Sequence, residues 1–320
     1  MFKAVFLDYA STSHNDLNLS KLQQACGQLS LWDDTKADNL LAHIGDAEIV
    51  ISNKVLLNAE TLHALKDQLK LICVAATGTN NVDLVAAKNL GVPVCNVRNY
   101  GSRSVAEHCL SLIFALARQL PAYHQAVQNQ TWQQSQHFCL LDYPITEVAG
   151  KTLGIIGYGS LGQATAQLAA AVGMRILIAE RLDAETVRTD RVSLNELLAT
   201  SDFISLHCPL TEQTQQFINA ERLQLMKPSA FLINTARGGL IQEAALLAAL
   251  QNGSIAGAAV DVLTIEPPTP DSLLLQHSLP NLLITPHVAW ASRNARQTLV
   301  DQLADIIENF QQNKLINSVT

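Results

Sequence analysis

The chain has 320 residues, enough for one large or two ordinary domains. Hydrophobic residues make up 48% and charged residues 15%, a balance typical of a folded globular protein rather than a disordered one. The net charge of −7 gives no attraction to nucleic-acid phosphates or anionic membranes. No apolar run approaches the ~20 residues of a membrane span, so we expect neither a nucleic-acid nor a membrane partner.

The six cysteines are scattered, and none forms a Cys-x-x-Cys pair. Several lie inside apolar runs, as buried reduced thiols of a cytosolic protein do. A zinc site is the competing interpretation, but the spacing gives it little support, so we expect no metal. The first residues, MFKAVFLDYA, have too short an apolar run for a signal peptide. We therefore expect a cytoplasmic protein.

In the first third of the chain, apolar runs alternate with helical patterns. Strands are predicted at 2–8, 48–52, 70–76 and 93–97, with helices near 18–28, 59–67 and 82–90. A long helix is then predicted from about Ser104 to Gln128. Residues 130–147 lose the periodicity, and we expect them to form a surface connection between domains.

At Gly150 the same alternation begins again. Strands are predicted at 152–157, 174–179, 202–207, 230–234, 256–262 and 282–285. Ser193 and Glu196 have the spacing of a capping box and predict a helix start before strand 202–207. Residues 291–312 have apolar residues at helical spacing and predict a final amphipathic helix. Together these elements predict an α/β protein with parallel sheets.

A glycine-rich turn, GYGSLG, spans residues 157–162 between a predicted strand and a predicted helix. Gly157 permits a tight turn, Gly159 lets the backbone approach a pyrophosphate, and Gly162 lets the helix pack closely on the strand. The N–H groups at the helix start favour phosphate. The competing interpretation is a glycine-rich turn that binds no ligand.

An acidic residue, Glu180, closes the next predicted strand, as in dinucleotide-binding folds. Its carboxylate would accept hydrogen bonds from ribose hydroxyls and repel a 2′-phosphate, which favours NAD over NADP. Arg181 weakens that preference, because an arginine there could stack on adenine or accept a phosphate. The order of these features, a strand, the glycines, a helix and then an acid, favours nucleotide binding over a glycine-rich turn that binds no ligand.

Three further polar residues, Arg237, Glu266 and His287, each follow a predicted strand, where open parallel sheets bind ligands. Arg237 can hold a carboxylate and polarise a carbonyl through paired hydrogen bonds. His287 can donate a proton near neutral pH. Glu266 can orient the imidazole and keep it protonated. This set suits hydride transfer to a 2-oxo acid.

Each of these residues also has a structural interpretation. Arg237 could be a surface ion-pair partner, Glu266 a loop acid beside prolines, and His287 a residue at the entry to a helix. For any one of them taken alone, the structural interpretation is favoured. Their joint occurrence at three strand ends beside a dinucleotide motif favours catalysis.

Seven stretches of the chain resemble the D-isomer-specific 2-hydroxyacid dehydrogenases, and together they cover essentially its full length. Within the family, TGTNNVD, DVLTIEPP and PHVAWAS are most similar to the glycerate dehydrogenase, or hydroxypyruvate reductase, subgroup. The stretches are ATGTNNVD (76–83), NVRNYGSRSVAEH (96–108), GKTLGIIGYGSLG (150–162), LHCPLTEQT (206–214), FLINTARGGLI (231–241), AGAAVDVLTIEPP (256–268) and LLITPHVAWAS (282–292).

The resemblance implies NAD as cofactor and a role for each matching residue. Arg237, Glu266 and His287 match the family's catalytic residues, and the backbone at Thr77 and Gly78 matches the loop that holds the substrate carboxylate. Two departures are Glu180, where Asp is usual, and Cys109, where Thr or Ala commonly follows the AEH stretch. The implied cofactor contacts are Gly157, Gly159, Ser160, Leu161, Gly162, Glu180, Arg181, Cys208, Pro209, Thr214, Thr235, Ala236, Arg237, Asp261 and His287.

The family fold implies two doubly wound parallel-sheet domains. A Rossmann cofactor domain, residues 101–289, would be inserted into a flavodoxin-like substrate domain made of residues 1–100 and 290–320. Helix 104–128 and the segment near 287–295 would act as hinges, and closure would exclude water. The resemblance also implies a homodimer, built on the inserted domain.

The substrate would be a small 2-oxo acid, such as hydroxypyruvate or glyoxylate, reduced to the D-2-hydroxy acid. Trp290, three residues after His287, either walls the substrate pocket or merely packs at the start of the last helix. One alternative is a broad 2-oxoacid reductase. Another is a phosphoglycerate dehydrogenase, and a regulatory domain after residue 320 would favour that assignment. Formate dehydrogenases of this fold carry Gln at the position of Glu266, so the acid at this position disfavours them. An NAD-sensing corepressor with the same three residues is an alternative from another class.

Overall fold

The computed structural model describes residues 2–320 and forms two compact units. The first unit comprises the chain up to Gly101 together with Ala291–Thr320, and the second comprises Ser102–Trp290. Each unit contains one parallel sheet with helices between its strands. The predicted α/β class with two parallel sheets is confirmed.

The sheet of the first unit has five parallel strands in the order β2-β1-β3-β4-β5. Strands β3 and β4 are buried along their whole length, which explains their continuous apolar sequences. Strand β2 was not predicted, because it is a mostly exposed edge strand without an apolar run. Helix α2, five residues long, was not predicted either. The elements are β1 (Lys3–Phe6), α1 (Ser20–Ala25), β2 (Gln28–Leu31), α2 (Leu40–Ile44), β3 (Ile49–Ser52), α3 (Ala59–Ala64), β4 (Leu71–Val74), α4 (Leu84–Asn89) and β5 (Val94–Asn96).

The sheet of the second unit has six parallel strands in the order β11-β10-β9-β8-β6-β7. All six are at the predicted positions. The elements are α5 (Ser102–Ala117), α6 (Leu120–Gln128), β6 (Thr152–Ile156), α7 (Ser160–Ala171), β7 (Arg175–Ile178), α8 (Leu194–Thr200), β8 (Phe203–Leu206), α9 (Ala220–Gln224), β9 (Phe231–Asn234), α10 (Glu243–Gln251), β10 (Gly257–Val260) and β11 (Leu282–Ile284).

The single helix predicted over 104–128 is wrong, because two helices occupy this stretch. Helix α5 ends at Ala117, and α6 begins at Leu120. Between them Gln119 has a left-handed backbone with φ of 53°. Pro121, in the first turn of α6, has no N–H to donate to the preceding turn. The proline therefore starts a new helix.

The segment 130–147 contains one short 3₁₀ turn, Trp132–Gln134, and is otherwise irregular. Its predicted surface position is confirmed, since most of its residues are exposed and Phe138 is 91% exposed. The prediction that it connects two domains is wrong. Both of its ends lie in the second unit.

The last helix, α11 (Arg293–Gln311), belongs to the first unit and confirms the prediction for 291–312. Ser292 caps it by accepting a hydrogen bond from the Ala295 N–H at 3.2 Å. Arg296 forms a two-pronged ion pair with Asp16, whose oxygens lie 2.6 and 2.8 Å from its nitrogens. The apolar face of α11 packs against the rest of the first unit.

All six cysteines are free thiols, and Cys26, Cys73, Cys95 and Cys109 are buried. Burial raises the pKa of the Cys109 thiol to about 12, so it stays protonated. Among residues 2–320, no helix combines the length and apolar composition that crossing a membrane requires.

Candidate active site

The predicted site residues of the second unit all follow the carboxyl ends of its strands. Gly157 follows β6, Glu180 follows β7, and Cys208 follows β8. The segment of Thr235, Ala236 and Arg237 follows β9, that of Asp261 and Glu266 follows β10, and His287 follows β11. Because the strands are parallel, these residues share one edge of the sheet, where such sheets bind ligands.

The glycine turn leaves no room for side chains at two of its positions. Gly157 has φ of +93°, and a Cβ there would lie 2.5 Å from the Cys208 backbone nitrogen. A Cβ at Gly162 would collide with the Gly157 carbonyl oxygen. Gly159, by contrast, faces open space at the start of α7. The turn therefore has the tight backbone, close helix packing and open approach that a pyrophosphate needs.

Two buried polar atoms at neighbouring strand ends have no hydrogen-bond partner within residues 2–320. They are Nδ1 of His207, just past β8, and Oγ1 of Thr235, just past β9. Buried polar atoms are rarely left unpaired in folded proteins. A dinucleotide, with its many polar atoms, fits this edge of the sheet.

The other predicted contacts on the β8 and β9 ends have local partners. The Thr214 hydroxyl donates to the Pro209 carbonyl at 2.8 Å and accepts from the Thr211 N–H at 2.7 Å. The Ala236 N–H donates to Asn234 Oδ1 at 3.0 Å. These bonds shape the two loops.

Glu180 is nearly buried, and its carboxylate is held by protein donors. Oε1 accepts from the Arg181 N–H at 2.9 Å and from Arg188 Nη2 at 2.6 Å. Oε2 accepts from the Arg188 backbone N–H at 3.1 Å and from Arg188 Nε at 2.8 Å. The Arg188 guanidinium is the main cause that holds the pKa of this carboxyl well below its usual range. Arg188 was not predicted from the sequence.

The Arg181 side chain forms an ion pair with a different acid, Asp183. Its Nε and Nη2 lie 3.0 and 2.7 Å from the two oxygens of Asp183, and its side chain is 74% exposed. The two neighbouring arginines, Arg181 and Arg188, are thus each oriented by one carboxylate at the end of β7.

His287 and Glu266 are brought together as predicted. His287 Nδ1 lies 2.7 Å from Glu266 Oε2, and about a third of each side chain is exposed. The other oxygen of Glu266 accepts from the Leu263 N–H at 2.9 Å. The carboxylate is therefore fixed by the backbone on one side and orients the imidazole on the other, which leaves Nε2 as the free end of the ring.

The backbone of His287 adopts a left-handed conformation, with φ of 54°. Its N–H donates to the Asp261 carbonyl at 2.7 Å. The buried Asp261 carboxylate accepts from the N–H groups of Val288 and Ala289, each at 2.9 Å. These bonds fix an unusual turn in place, as a site that depends on the direction of one side chain requires.

Asp261 is in turn held by residues that sequence reasoning missed. Its Oδ1 accepts from the Thr285 hydroxyl at 2.5 Å, and that hydroxyl lies 3.0 Å from His108 Nε2 on α5. Ser104, also on α5, donates to the Ala289 carbonyl at 2.7 Å. Asp261 was predicted as a cofactor contact, and its carboxylate here anchors the His287 turn.

Arg237 is exposed at the end of β9, and its Nη1 donates to the Ala236 carbonyl at 2.7 Å. The next residue, Gly238, packs directly on the β10 loop, since a Cβ there would collide with the Leu263 backbone. Leu263 is the residue whose N–H holds Glu266. The glycine therefore allows the Arg237 and Glu266 loops to pack together.

Trp290 has its indole N–H tied to the chain that carries His287. Its Nε1 donates to the His287 carbonyl at 3.0 Å. This bond gives the tryptophan a structural contact and keeps the indole close to the His287 backbone. Both predicted roles for Trp290 are compatible with it.

Thr77 and Gly78 belong to the first unit, in the loop after β4. The Thr77 carbonyl accepts from Asn96 Nδ2 at 2.7 Å, and its hydroxyl donates to the Val97 carbonyl at 3.1 Å. The loop is thus held by the end of β5, the next strand of that sheet.

Comparison with known proteins agrees with this geometry. Residues 110–289 match the family model described as D-isomer specific 2-hydroxyacid dehydrogenase, NAD binding domain. A glycerate dehydrogenase of Methylorubrum extorquens is 46% identical over 317 residues, 99% of this chain and 98% of that protein. A hydroxypyruvate reductase of Blautia hydrogenotrophica is 35% identical over 323 residues, 99% of each chain.

A solved structure has the same fold over the full length. The D-lactate dehydrogenase of Escherichia coli superposes with a TM-score of 0.82 at 27% identity, and the match covers 100% of both chains. The chain belongs to the D-isomer-specific 2-hydroxyacid dehydrogenases and is an NAD-dependent enzyme that reduces 2-oxo acids.

Proposed function

We propose that the chain reduces hydroxypyruvate, and also glyoxylate, to the D-2-hydroxy acid. The observation that carries the proposal is the His287–Glu266 pair, 2.7 Å apart, on the same sheet edge as the glycine turn. In this proposal residues 101–289 form the cofactor domain, and residues 1–100 with 290–320 form the substrate domain.

His287 supplies the proton that the reduction needs. When bound, NADH supplies a hydride to the carbonyl carbon of the substrate. The carbonyl oxygen gains a proton from His287 Nε2, and the ring then carries no charge. Glu266 orients the ring through its 2.7 Å contact with Nδ1, so that Nε2 points to the substrate.

Arg237 and the Thr77–Gly78 loop recognise the acid group of the substrate. The guanidinium can make two parallel hydrogen bonds to a carboxylate or to a carboxylate and the neighbouring carbonyl. Backbone N–H groups at Thr77 and Gly78 add further donors. A substrate with a 2-oxo group beside a carboxylate offers the acceptors that a guanidinium such as that of Arg237 can bind.

The choice of hydroxypyruvate is supported by the names of two full-length relatives, a glycerate dehydrogenase and a hydroxypyruvate reductase. A second candidate is a broader 2-oxoacid reductase, since a D-lactate dehydrogenase has the same fold at 27% identity. The test is a set of initial rates on hydroxypyruvate, glyoxylate, pyruvate and phenylpyruvate. Hydroxypyruvate should give the highest kcat/KM.

Two outcomes of this assay would overturn the proposal. A highest kcat/KM on phenylpyruvate would remove hydroxypyruvate as the substrate and leave the family membership intact. Dinucleotide binding with no turnover of any 2-oxo acid would favour the NAD-sensing, corepressor-like alternative.

We also propose a homodimer built on the second unit, in the cytoplasm. The stretch from α6 to Ile145 exposes large apolar side chains that a partner copy would cover: Leu120, Val127, Trp132, Phe138, Leu141 and Ile145. Exposed apolar surface marks interfaces between proteins where it is contiguous, and these six side chains fall within one stretch of 26 residues. Sedimentation velocity should give twice the 34.7 kDa chain mass, and a monomer at micromolar concentration would contradict the proposal.

A further inference from the structure

The acid at the end of β7 has no spare capacity for a ribose. An ionised carboxylate offers about four acceptor positions. In Glu180 two N–H groups of the backbone and two of the Arg188 guanidinium fill them. A ribose hydroxyl could donate to Glu180 only after one of these bonds breaks.

Arg188, not Glu180, presents its polar atoms to the surface. The Arg188 side chain is 55% exposed, whereas that of Glu180 is 5% exposed. Within residues 2–320, Nη1 of Arg188 makes no hydrogen bond. The guanidinium lines an open cleft of about 390 Å³ together with Glu180, Arg181, Asp183, Ala184 and Thr186.

The charges around this cleft do not exclude a phosphate. Two carboxylates, Glu180 and Asp183, are each neutralised by an arginine. Glu185 is exposed between the lining residues Ala184 and Thr186. Beyond the cleft, Asp190 Oδ2 lies 3.4 Å from Arg191 Nε, and the Arg191 guanidinium stacks on Tyr158 of the glycine turn. The like-charge repulsion expected from a bare Glu180 is therefore cancelled by Arg188.

We propose that Arg188 is the specificity-determining residue at the 2′ position of the adenosine ribose, and that it lets the chain bind NADPH as well as NADH. Its guanidinium is oriented by Glu180 and keeps one nitrogen for a phosphate oxygen. The inference rests on the proposed function only in assigning the end of β7 to the adenosine ribose.

The test is the dissociation constant of NADH and of NADPH, measured by nicotinamide fluorescence on the wild-type chain and on Arg188→Ala. The wild type should bind the two cofactors within about tenfold of each other. Arg188→Ala should weaken NADPH by roughly 10- to 100-fold, the worth of a charge-assisted hydrogen bond. It should leave NADH unchanged or tighter, because Glu180 then gains free acceptor positions.

Arg175→Ala is the matched control, because Arg175 is exposed at the opposite end of β7. It should alter neither constant. Arg188→Gln keeps a donor for Glu180 and should reproduce the loss of NADPH affinity. Adenosine 2′,5′-bisphosphate and AMP, used as competitors, should show the same discrimination as the two cofactors.

An NADPH/NADH ratio unaffected by Arg188→Ala, or wild-type binding of NADPH more than about tenfold weaker than NADH, would overturn the inference. Turnover is not part of this readout. Failure of hydroxypyruvate reduction with intact discrimination would therefore count against the proposed substrate and not against Arg188.

Discussion

Two glutamates on one edge of the second unit's sheet have opposite characters. Glu266, after β10, gives one oxygen to the Leu263 N–H and the other to His287. Glu180, after β7, gives all of its acceptor positions to Arg181 and Arg188. The partner of Glu266 is an imidazole, a type of general acid, whereas an arginine stays charged.

The difference shows that position at a strand end does not decide the role of an acid. The same residue type, at equivalent places in one sheet, orients a titratable ring in one case and fixes a permanent cation in the other. The partner determines which of the two can take part in proton transfer.

The largest expected effect comes from removing the titratable partner of Glu266. His287→Gln should lower kcat by about 10²–10⁴, the usual worth of a general acid. The dissociation constant of NADH should stay nearly unchanged, because the glycine turn is untouched. Stopped-flow reduction of hydroxypyruvate and an NADH titration on the same sample measure both. A variant that keeps most of its kcat would remove His287 from the acid role.

A second substitution tests whether a residue beside His287 also shapes the substrate pocket. Trp290→Ala should raise the kcat/KM for phenylpyruvate relative to hydroxypyruvate by about 10–200-fold, the range for a changed pocket contact. The measurement is the ratio of the two constants in wild type and variant. An unchanged ratio would give the indole, whose N–H is tied to the His287 carbonyl, a purely structural role.

A third strand end supplies a histidine with no carboxylate partner. Burial lowers the pKa of His207 to about 4, below the ~6.5 of an unfolded histidine. Between these values the unfolded chain binds a proton that the folded chain does not, so stability falls as the pH falls. The expected loss between pH 7 and pH 5 is about 2 kcal/mol.

Urea unfolding of His207→Gln at the two pH values measures this loss, and the variant should lack it. His137→Gln is the matched control, because His137 is exposed and its replacement should leave the pH dependence intact. Equal pH dependence in the wild type and in His207→Gln would contradict the assignment.

The smallest effect tests how the His287 turn is held. Thr285→Val keeps the volume of the side chain and removes the hydroxyl between His108 and Asp261. We expect kcat to fall about 3- to 10-fold, the worth of one hydrogen bond, with KM unchanged. Thr298→Val on the exposed face of α11 is the control. An unaltered kcat would show that Asp261 holds the turn without Thr285.

The sequence predicted the fold and the residues whose type alone carries the chemistry. The six strands of the second unit, the glycine turn and the His287–Glu266 pair follow from apolar runs and from polar residues at strand ends. The break before α6 was also readable, since Pro121 is a helix-start residue inside the stretch interpreted as one helix.

What sequence reasoning missed depends on contacts between distant or irregular segments. His108 meets Thr285 across 177 positions of the chain, and no local pattern indicates such a pairing. Arg188 lies in an irregular segment eight residues after Glu180, so nothing in the periodicity predicts that it turns back to that carboxylate. Side-chain direction in such segments follows from packing that only the folded structure contains.

The most direct test of the contrast between the two glutamates is a matched pair of substitutions, Glu266→Gln and Glu180→Gln. The measurement is the single-turnover rate of hydroxypyruvate reduction at saturating NADH. We expect Glu266→Gln to lower the rate by about 10- to 100-fold, because His287 loses the carboxylate that orients its ring. Glu180→Gln should stay within about threefold of wild type, since its partners are arginines remote from proton transfer. Equal losses in both variants, or no loss in Glu266→Gln, would contradict the distinction.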